Sequence, residues 1–159
     1  LDFALVKGAA RDLRDRLDAI GLKSFPMVTG GKGVHVVVPV QRRAEWPQAK
    51  GFCAGFARIV AGEEPDRFTA TLSKAKRKGK MFIDYLRNER GSTAISPFST
   101  RSHPGAPVAV PVDWDELESL GAANAFSMEG AIERAGSPFW TGYWDVKQSL
   151  TAKIVGAVN

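Results

Sequence analysis

The stretch TGGKGVHVVVPV, residues 29–40, sets three glycines and a lysine directly against a run of β-branched residues. A chain can pass through such a segment in few ways. Val34, Val36, Val37 and Val38 favour extended backbone, whereas Gly30, Gly31 and Gly33 tolerate the positive φ values of a tight reversal. With KSFPMV at 23–28 on its other side, the segment predicts two strands joined by a glycine turn. Pro26 and Pro39 are then expected at edges or strand ends, because proline lacks the N–H that a ladder needs. Consecutive glycines also let several N–H groups converge on one point, a nest suited to an anion, and Lys32 adds a full charge. Taken alone, these residues fit an ordinary hairpin turn and a phosphate nest equally well. They are not a Walker A loop: no Gly-x-x-x-x-Gly-Lys-Ser/Thr can be drawn through them, and they lead into a strand rather than a helix.

Around this segment the pattern alternates between helix and strand. Leu5, Val6, Leu13, Leu17 and Ile20 recur at helical spacing over residues 2–22, with Asp2 as N-cap and Gly21 as the stop. Trp46-Pro47 opens a second helix to about Gly62, its buried stripe formed by Phe52, Phe56, Ile59 and Val60. KMFIDYL at 80–86 reads as a strand, STAISPFSTR at 92–101 as a short strand pair, and residues 103–117 as an extended stretch entering a helix capped by Asp113. One more short helix is expected over 127–135. The aromatic tail PFWTGYW is expected to pack back on the body, with Trp46, Trp114, Trp140 and Trp144 all in the core. The 159 residues, 44% of them hydrophobic, suffice for one domain or part of one. Because Leu1 leads directly into helix-forming residues, a longer parent chain is expected. No run of about 18 apolar residues suggests a membrane span, and the single Cys53 reads as a small buried hydrophobe.

The formal net charge is +5, and its distribution is more telling than its total. Residues 67–90 carry eight lysines and arginines against Asp84 and Glu89. Within that segment Lys76, Arg77, Lys78 and Lys80 form either a solvated surface loop or a patch that tracks nucleic-acid phosphates. Asp84 interrupts an apolar run. A carboxylate there must be hydrated, paired with a neighbour such as Arg87 or Lys80, or bound to a hard cation such as Mg²⁺ or Mn²⁺. Period two places His35 on the strand face opposite Val34 and Val36, as a structural residue or a ligand contact near Lys32. Arg101 is equally suited to a surface ion pair and to a bidentate phosphate clamp.

In order, GLKSFPMVTGGKGVHVVVPV, KRKGKMFIDYLRNERGSTAISPFSTR and PGAPVAVPVDWDEL resemble the polymerase domain of bacterial DNA ligase D, a member of the archaeo-eukaryotic primase superfamily that serves nonhomologous end joining. The resemblance runs from the first helix to about Leu120. It implies an α+β fold, a mixed and largely antiparallel sheet flanked by helices, incomplete here at the N-terminus. It also implies two divalent ions, Mn²⁺ or Mg²⁺, that hold a nucleoside triphosphate against a DNA primer end. By position, Thr29, Gly30, Gly31, Lys32, Gly33 and His35 correspond to the Ser-Gly-Gly-Lys-Gly-x-His triphosphate motif, with threonine replacing serine. Asp84, before Tyr85 and Asn88, corresponds to the third catalytic carboxylate and metal ligand. Arg101 corresponds to a triphosphate-binding arginine, although Phe98 replaces a usual tyrosine. Lys76, Arg77, Lys78 and Lys80 fall on a mobile loop that places the primer strand.

The paired Asp-x-Asp of that family normally lies shortly before the helix that begins this sequence and is absent from it, Asp2 being the only early candidate and Ala4 standing where a partner would be needed; whether the parent carries the pair upstream decides between a catalytic and a binding role. The resemblance further implies DNA ends as partner, a Ku-type end-binding protein, a fused or separate ligase domain, and a bacterial cytoplasmic setting with no membrane. Two functions are therefore carried forward. One is metal-dependent nucleotidyl transfer to a DNA end, with this chain supplying the triphosphate-binding wall and one metal carboxylate. The other is a noncatalytic nucleotide- or nucleic-acid-binding module. A third reading, a ligase catalytic domain, is disfavoured because the sequence has no Lys-x-Asp-Gly motif for adenylation.

Overall fold

The computed structural model describes residues 2–158. They form two compact units, Asp2–Pro39 with Ile95–Val146, and Val40–Ala94 with the described part of Lys147–Asn159.

The first unit begins with helix α1, Phe3–Ala19, whose N-cap Asp2 accepts the Ala4 N–H at 3.0 Å. Gly21, at φ +87°, ends it where the sequence placed the stop. Val6, Ala9, Ala10 and Leu17 make its buried stripe, whereas Leu5 is exposed. Strands β1, Phe25–Val28, and β2, Val34–Val37, follow as the antiparallel hairpin expected from the glycines. Strand β5, Val110–Pro111, pairs with the other edge of β1, again antiparallel. Pro26 therefore lies in the central strand, not at an edge. Toward β2 the missing N–H costs no bond, because the proline's backbone polar groups face Val112, just past the end of β5. Thr29 N–H donates to Gly33 O at 3.1 Å, and counting back by twos makes Pro26–Val36 a non-hydrogen-bonded pair. The Pro26 carbonyl still accepts from Val112 N–H at 3.2 Å and from Trp140 Nε1 at 2.7 Å.

All four residues of β1 are buried, and strand alternation splits them between two apolar clusters. Val28 joins Ala10, Val108, Val110, Val112, Leu117 and Ala131 on one face, with Val34 and Val36 packed against them. Phe25 and Met27 join Ala109 and Trp140 on the other. Helix α3, Trp114–Ser119, is capped by Asp113, and Lys7 Nζ donates to the Glu118 and Leu120 carbonyls at its far end, at 2.7 and 2.9 Å. Helix α4, Met128–Ala135, is capped by Ser127. The antiparallel sheet with flanking helices that the resemblance implied is present here.

The second unit contains α2, Trp46–Glu63, where Pro47 occupies the first turn and Gln48 Oε1 accepts from Glu45 N–H at 2.8 Å. Phe52 and Val60 are buried as expected, with Phe56 and Ile59 half-buried. Two-residue strands β3, Phe68–Thr69, and β4, Met81–Phe82, pair in parallel. Helix α5, Ala152–Gly156, completes the unit. Burial pushes the thiol of half-buried Cys53 up to about 11, so it stays protonated and behaves as the hydrophobe expected.

Three further expectations fail, the first two for identifiable reasons. KMFIDYL supplies only the two residues of β4, because Asp84 Oδ1 accepts from Leu86 N–H at 3.1 Å and turns the chain out of extension. STAISPFSTR forms no strand pair: Phe98 adopts φ +60°, leaving a single bridge between Thr100 and Val108. Of the tryptophans, Trp140 is buried, but Trp46 is 53% and Trp144 91% exposed.

Gly55 of α2 is a demanding position, since a Cβ there would lie 2.3 Å from the Val158 carbonyl oxygen. Gly55→Ala should displace the segment after α5 and lower stability by about 1–3 kcal/mol, the usual range for overpacking, measured by urea unfolding. Asp2→Ala should cost about 1 kcal/mol through the lost cap.

Candidate functional site

In the first unit the candidate residues gather on the β1–β2 turn. Thr29 Oγ1 organises it: the hydroxyl donates to Gly33 O at 2.9 Å and accepts from the Gly31 and Gly33 N–H groups at 3.3 and 3.4 Å. The convergence of glycine N–H groups thus exists, centred on a threonine oxygen through two long hydrogen bonds. Gly30 N–H is committed elsewhere, donating to Ala123 O at 3.0 Å. Lys32 stands exposed at the tip and His35 is half-buried on β2. The register sets His35 opposite Met27, on the face away from Val34 and Val36, as period two required.

Arg101 reaches this turn from a distant part of the chain. Its N–H donates to Pro107 O at 2.8 Å, which folds residues 101–107 into a loop beside the Thr100–Val108 bridge. The side chain then lies along the glycines. A Cβ on Gly30 would be 2.9 Å from Arg101 Cγ and 2.9 Å from the Val108 carbonyl carbon, and one on Gly31 would be 3.8 Å from Arg101 Nη2. Gly30 also has φ +67°. Glycine is required there twice over, by backbone conformation and by the closeness of Arg101. Thr29, Gly30, Gly31 and Arg101 are brought together, with Lys32 adjacent in sequence, so a guanidinium lies along a hydroxyl-centred turn that also carries an exposed lysine. Such a set can hold a polyphosphate. Sequence spacing had no means of finding the Ala123 and Pro107 carbonyls that anchor it.

In the second unit Asp84 is exposed. One carboxylate oxygen accepts from Leu86 N–H, and the other is 4.0 Å from Arg87 Nε, one of the two ion pairs anticipated. The turn continues through Asn88, whose N–H donates to Tyr85 O at 3.2 Å, to Glu89, which pairs with Lys50 on α2. The Lys50 ammonium, by hydrogen bond and by charge, lowers the carboxyl pKa of Glu89 below the ordinary range. Asp84 is accessible and chemically suited to be one carboxylate ligand of a hard divalent cation. Among the described residues no group of three or more His, Cys, Asp or Glu side chains forms a metal cluster, so these residues fit one ligand position rather than a whole site.

The basic residues of this unit divide by exposure. Lys76 and Lys78 are exposed, whereas Arg77 and Lys80 are half-buried, and Lys80 Nζ donates to Pro65 O at 2.6 Å. Lys76, Lys78 and Lys80 line an open cleft of about 430 Å³ together with Thr69 and Thr71. No helix of the described residues is long and apolar enough to cross a membrane.

Residues 1–138 match the family model described as LigD, primase-polymerase domain. The chain is 39% identical over 142 residues to the multifunctional non-homologous end joining protein LigD of Pseudomonas aeruginosa, covering 87% of this chain and 17% of the relative. It is 31% identical over 146 residues to the bifunctional non-homologous end joining protein LigD of Bacillus subtilis, covering 89% and 24%. This chain therefore spans less than a quarter of either relative. Among solved structures, the polymerase domain from Mycobacterium tuberculosis ligase D in complex with DNA superposes with a TM-score of 0.81 at 30% identity, over 91% of this chain and 50% of that one.

Gly30→Ala should destabilise the first unit by about 1–3 kcal/mol, the cost of a left-handed non-glycine residue, with the close approach of Val108 adding to it. Chemical denaturation would measure the loss. As pH falls through the lowered pKa of Glu89, its pair with Lys50 is lost, because a depressed carboxyl pKa stabilises only above it. Glu89→Gln should accordingly flatten the acid limb of the thermal unfolding midpoint.

Proposed function

Since the chain belongs to the family of LigD primase-polymerase domains, we propose that it takes part in metal-dependent nucleotidyl transfer to a DNA end during double-strand break repair. The observation that carries this reading is Arg101 lying along Gly30 and Gly31, next to Lys32 on a turn organised by Thr29. In this reading the Lys32 ammonium and the Arg101 guanidinium neutralise the triphosphate of an incoming nucleotide. The long bonds from Gly31 and Gly33 to Thr29 are weak enough for phosphate oxygens to replace. His35 contributes a further contact from β2.

Asp84 serves as one carboxylate ligand for Mn²⁺ or Mg²⁺, the rest of the two-ion set being supplied from outside the described residues. When bound, such ions stabilise charge as the primer 3′-hydroxyl attacks the α-phosphate and pyrophosphate leaves. The work of this chain's own residues is positioning and electrostatic. Lys76, Arg77, Lys78 and Lys80 serve the DNA strand, in keeping with the DNA complex formed by the mycobacterial polymerase domain. A Ku-type end-binding protein, a ligase domain in the parent and a bacterial cytoplasmic setting belong to the same proposal. The alternative, a noncatalytic nucleotide- and nucleic-acid-binding module, draws its support from Asp84 being unaccompanied by a metal cluster among the described residues.

Titration calorimetry with a nucleoside triphosphate and Mn²⁺ tests the triphosphate contacts. Lys32→Ala and Arg101→Ala should each weaken binding about 10- to 100-fold, the worth of a hydrogen bond to a charged group, and unchanged affinity would remove that residue from the site. In a parent protein that carries the remaining ligands, Asp84→Ala should abolish primer extension while triphosphate binding by Lys32 persists. Wild-type parent that binds nucleotide and DNA yet adds no nucleotide would establish the noncatalytic alternative.

A further inference from the structure

The four cations of the basic loop are not equivalent in their surroundings, and Arg77 differs most. Its guanidinium carbon sits 3.7 Å from the centroid of the Phe82 ring, close enough for strong cation–π stacking. Its Nε–H donates to the Thr71 carbonyl at 3.1 Å. The backbone around it is closed as well: Arg77 N–H donates to Lys74 O at 3.2 Å, and Lys80 N–H to Arg77 O at 2.9 Å. One side chain therefore joins the outgoing end of the loop at Thr71 to its returning end at Phe82. A planar cation stacked on a ring and bonded through Nε has spent the face and one edge that a bidentate phosphate contact would use. Lys76 and Lys78, on either side, are exposed.

We propose that Arg77 is a positioning residue rather than a DNA contact: it pins the basic loop between Thr71 and Phe82, and Lys76 and Lys78 make the phosphate contacts. The inference rests on the DNA-binding reading given above for this loop and divides its labour. It has a second consequence. Phe82 lies two residues before Asp84, so the pin also sets where the chain leaves β4 and begins the Asp84 turn.

Charge and pin can be separated on this 159-residue chain. The probe is a fluorescein-labelled DNA duplex with a recessed 3′ end, bound at a series of salt concentrations. Each phosphate contact contributes about 0.9 to the slope of log affinity against log salt. Lys76→Met and Lys78→Met should each reduce the slope by about that amount. Arg77→Met should leave the slope unchanged and displace the line in parallel to weaker binding. Amide hydrogen exchange should accelerate in residues 71–82 of Arg77→Met without a change in the global unfolding midpoint. Phe82→Leu, which keeps apolar volume and all charges, should reproduce both effects, and Arg77→Lys should restore them only in part.

A slope that falls by about 0.9 in Arg77→Met would overturn the proposal, making Arg77 a direct phosphate contact. Unchanged exchange over 71–82 in both Arg77→Met and Phe82→Leu would overturn it equally, since no pin would then exist. If the wild-type chain binds no DNA, the DNA-binding reading of the loop fails and with it the contact role of Lys76 and Lys78. The exchange measurement still decides whether Arg77 holds the loop.

Discussion

Strand β1 is four residues long and buried on both faces, and the first unit is organised around that fact. A strand in this position must satisfy its backbone on two edges and its side chains on two sides. Phe25 and Met27 point into the aromatic cluster of Trp140, and Val28 points into the aliphatic cluster under α1 and α3. Burying a large apolar side chain contributes roughly 1.5–3 kcal/mol, so a one-residue slip of register would exchange the two faces at a cost no local turn preference could offset. Pro26 loses no bond to β2, since its backbone polar groups face the other edge; there β5 ends at Pro111, and the Pro26 carbonyl accepts from Val112 N–H and from Trp140 Nε1. Trp140 itself takes φ +51°, a strained backbone sustained by the packing of its ring against Phe25 and Tyr143.

The candidate triphosphate turn inherits its rigidity from this strand. It emerges from the end of β1 that is most deeply packed, so the positions of Gly30 and Gly31 are set by the sheet rather than by the loop. Arg101 arrives on a segment that is itself fastened to Pro107, Val108 and Ala109 beside β5. Two chain segments seventy residues apart in sequence are thus held against one another by the same three strands, with glycine as the one residue that leaves room. Preorganisation of this kind lets charged groups act on a ligand without reordering at the moment of binding.

In the second unit, positioning is done by side chains. Asp84 sits on a turn built by its own carboxylate, Glu89 ties the far end of that turn to Lys50 on α2, and Arg77 bridges the loop that precedes it. Each is a single long side chain reaching a carbonyl, a ring or a carboxylate, in a region with two-residue strands and little regular ladder. Loops so constructed have low intrinsic stability, which makes each tether consequential.

Much of this was legible in residue order. The periodicities of α1 and α2, the caps Asp2, Asp113 and Ser127, the glycine turn between two strands, and the identities of Thr29, Lys32, His35, Asp84 and Arg101 as the residues to watch all follow from local chemistry or from motif resemblance. Local chemistry sufficed because helix caps, turn glycines and hydrophobic periods act over a few residues. The strand length at Asp84, the central place of Pro26, the exposure of Trp46 and Trp144, the approach of Arg101 to Gly30, and the stacking of Arg77 on Phe82 were decided by tertiary structure. Each depends on a partner far along the chain, or on a competition between a side-chain hydrogen bond and a ladder, and neither is encoded in spacing. The sequence by itself determined which groups are present and the backbone each prefers; packing around β1 and the tethers of the basic loop decided which of those groups meet.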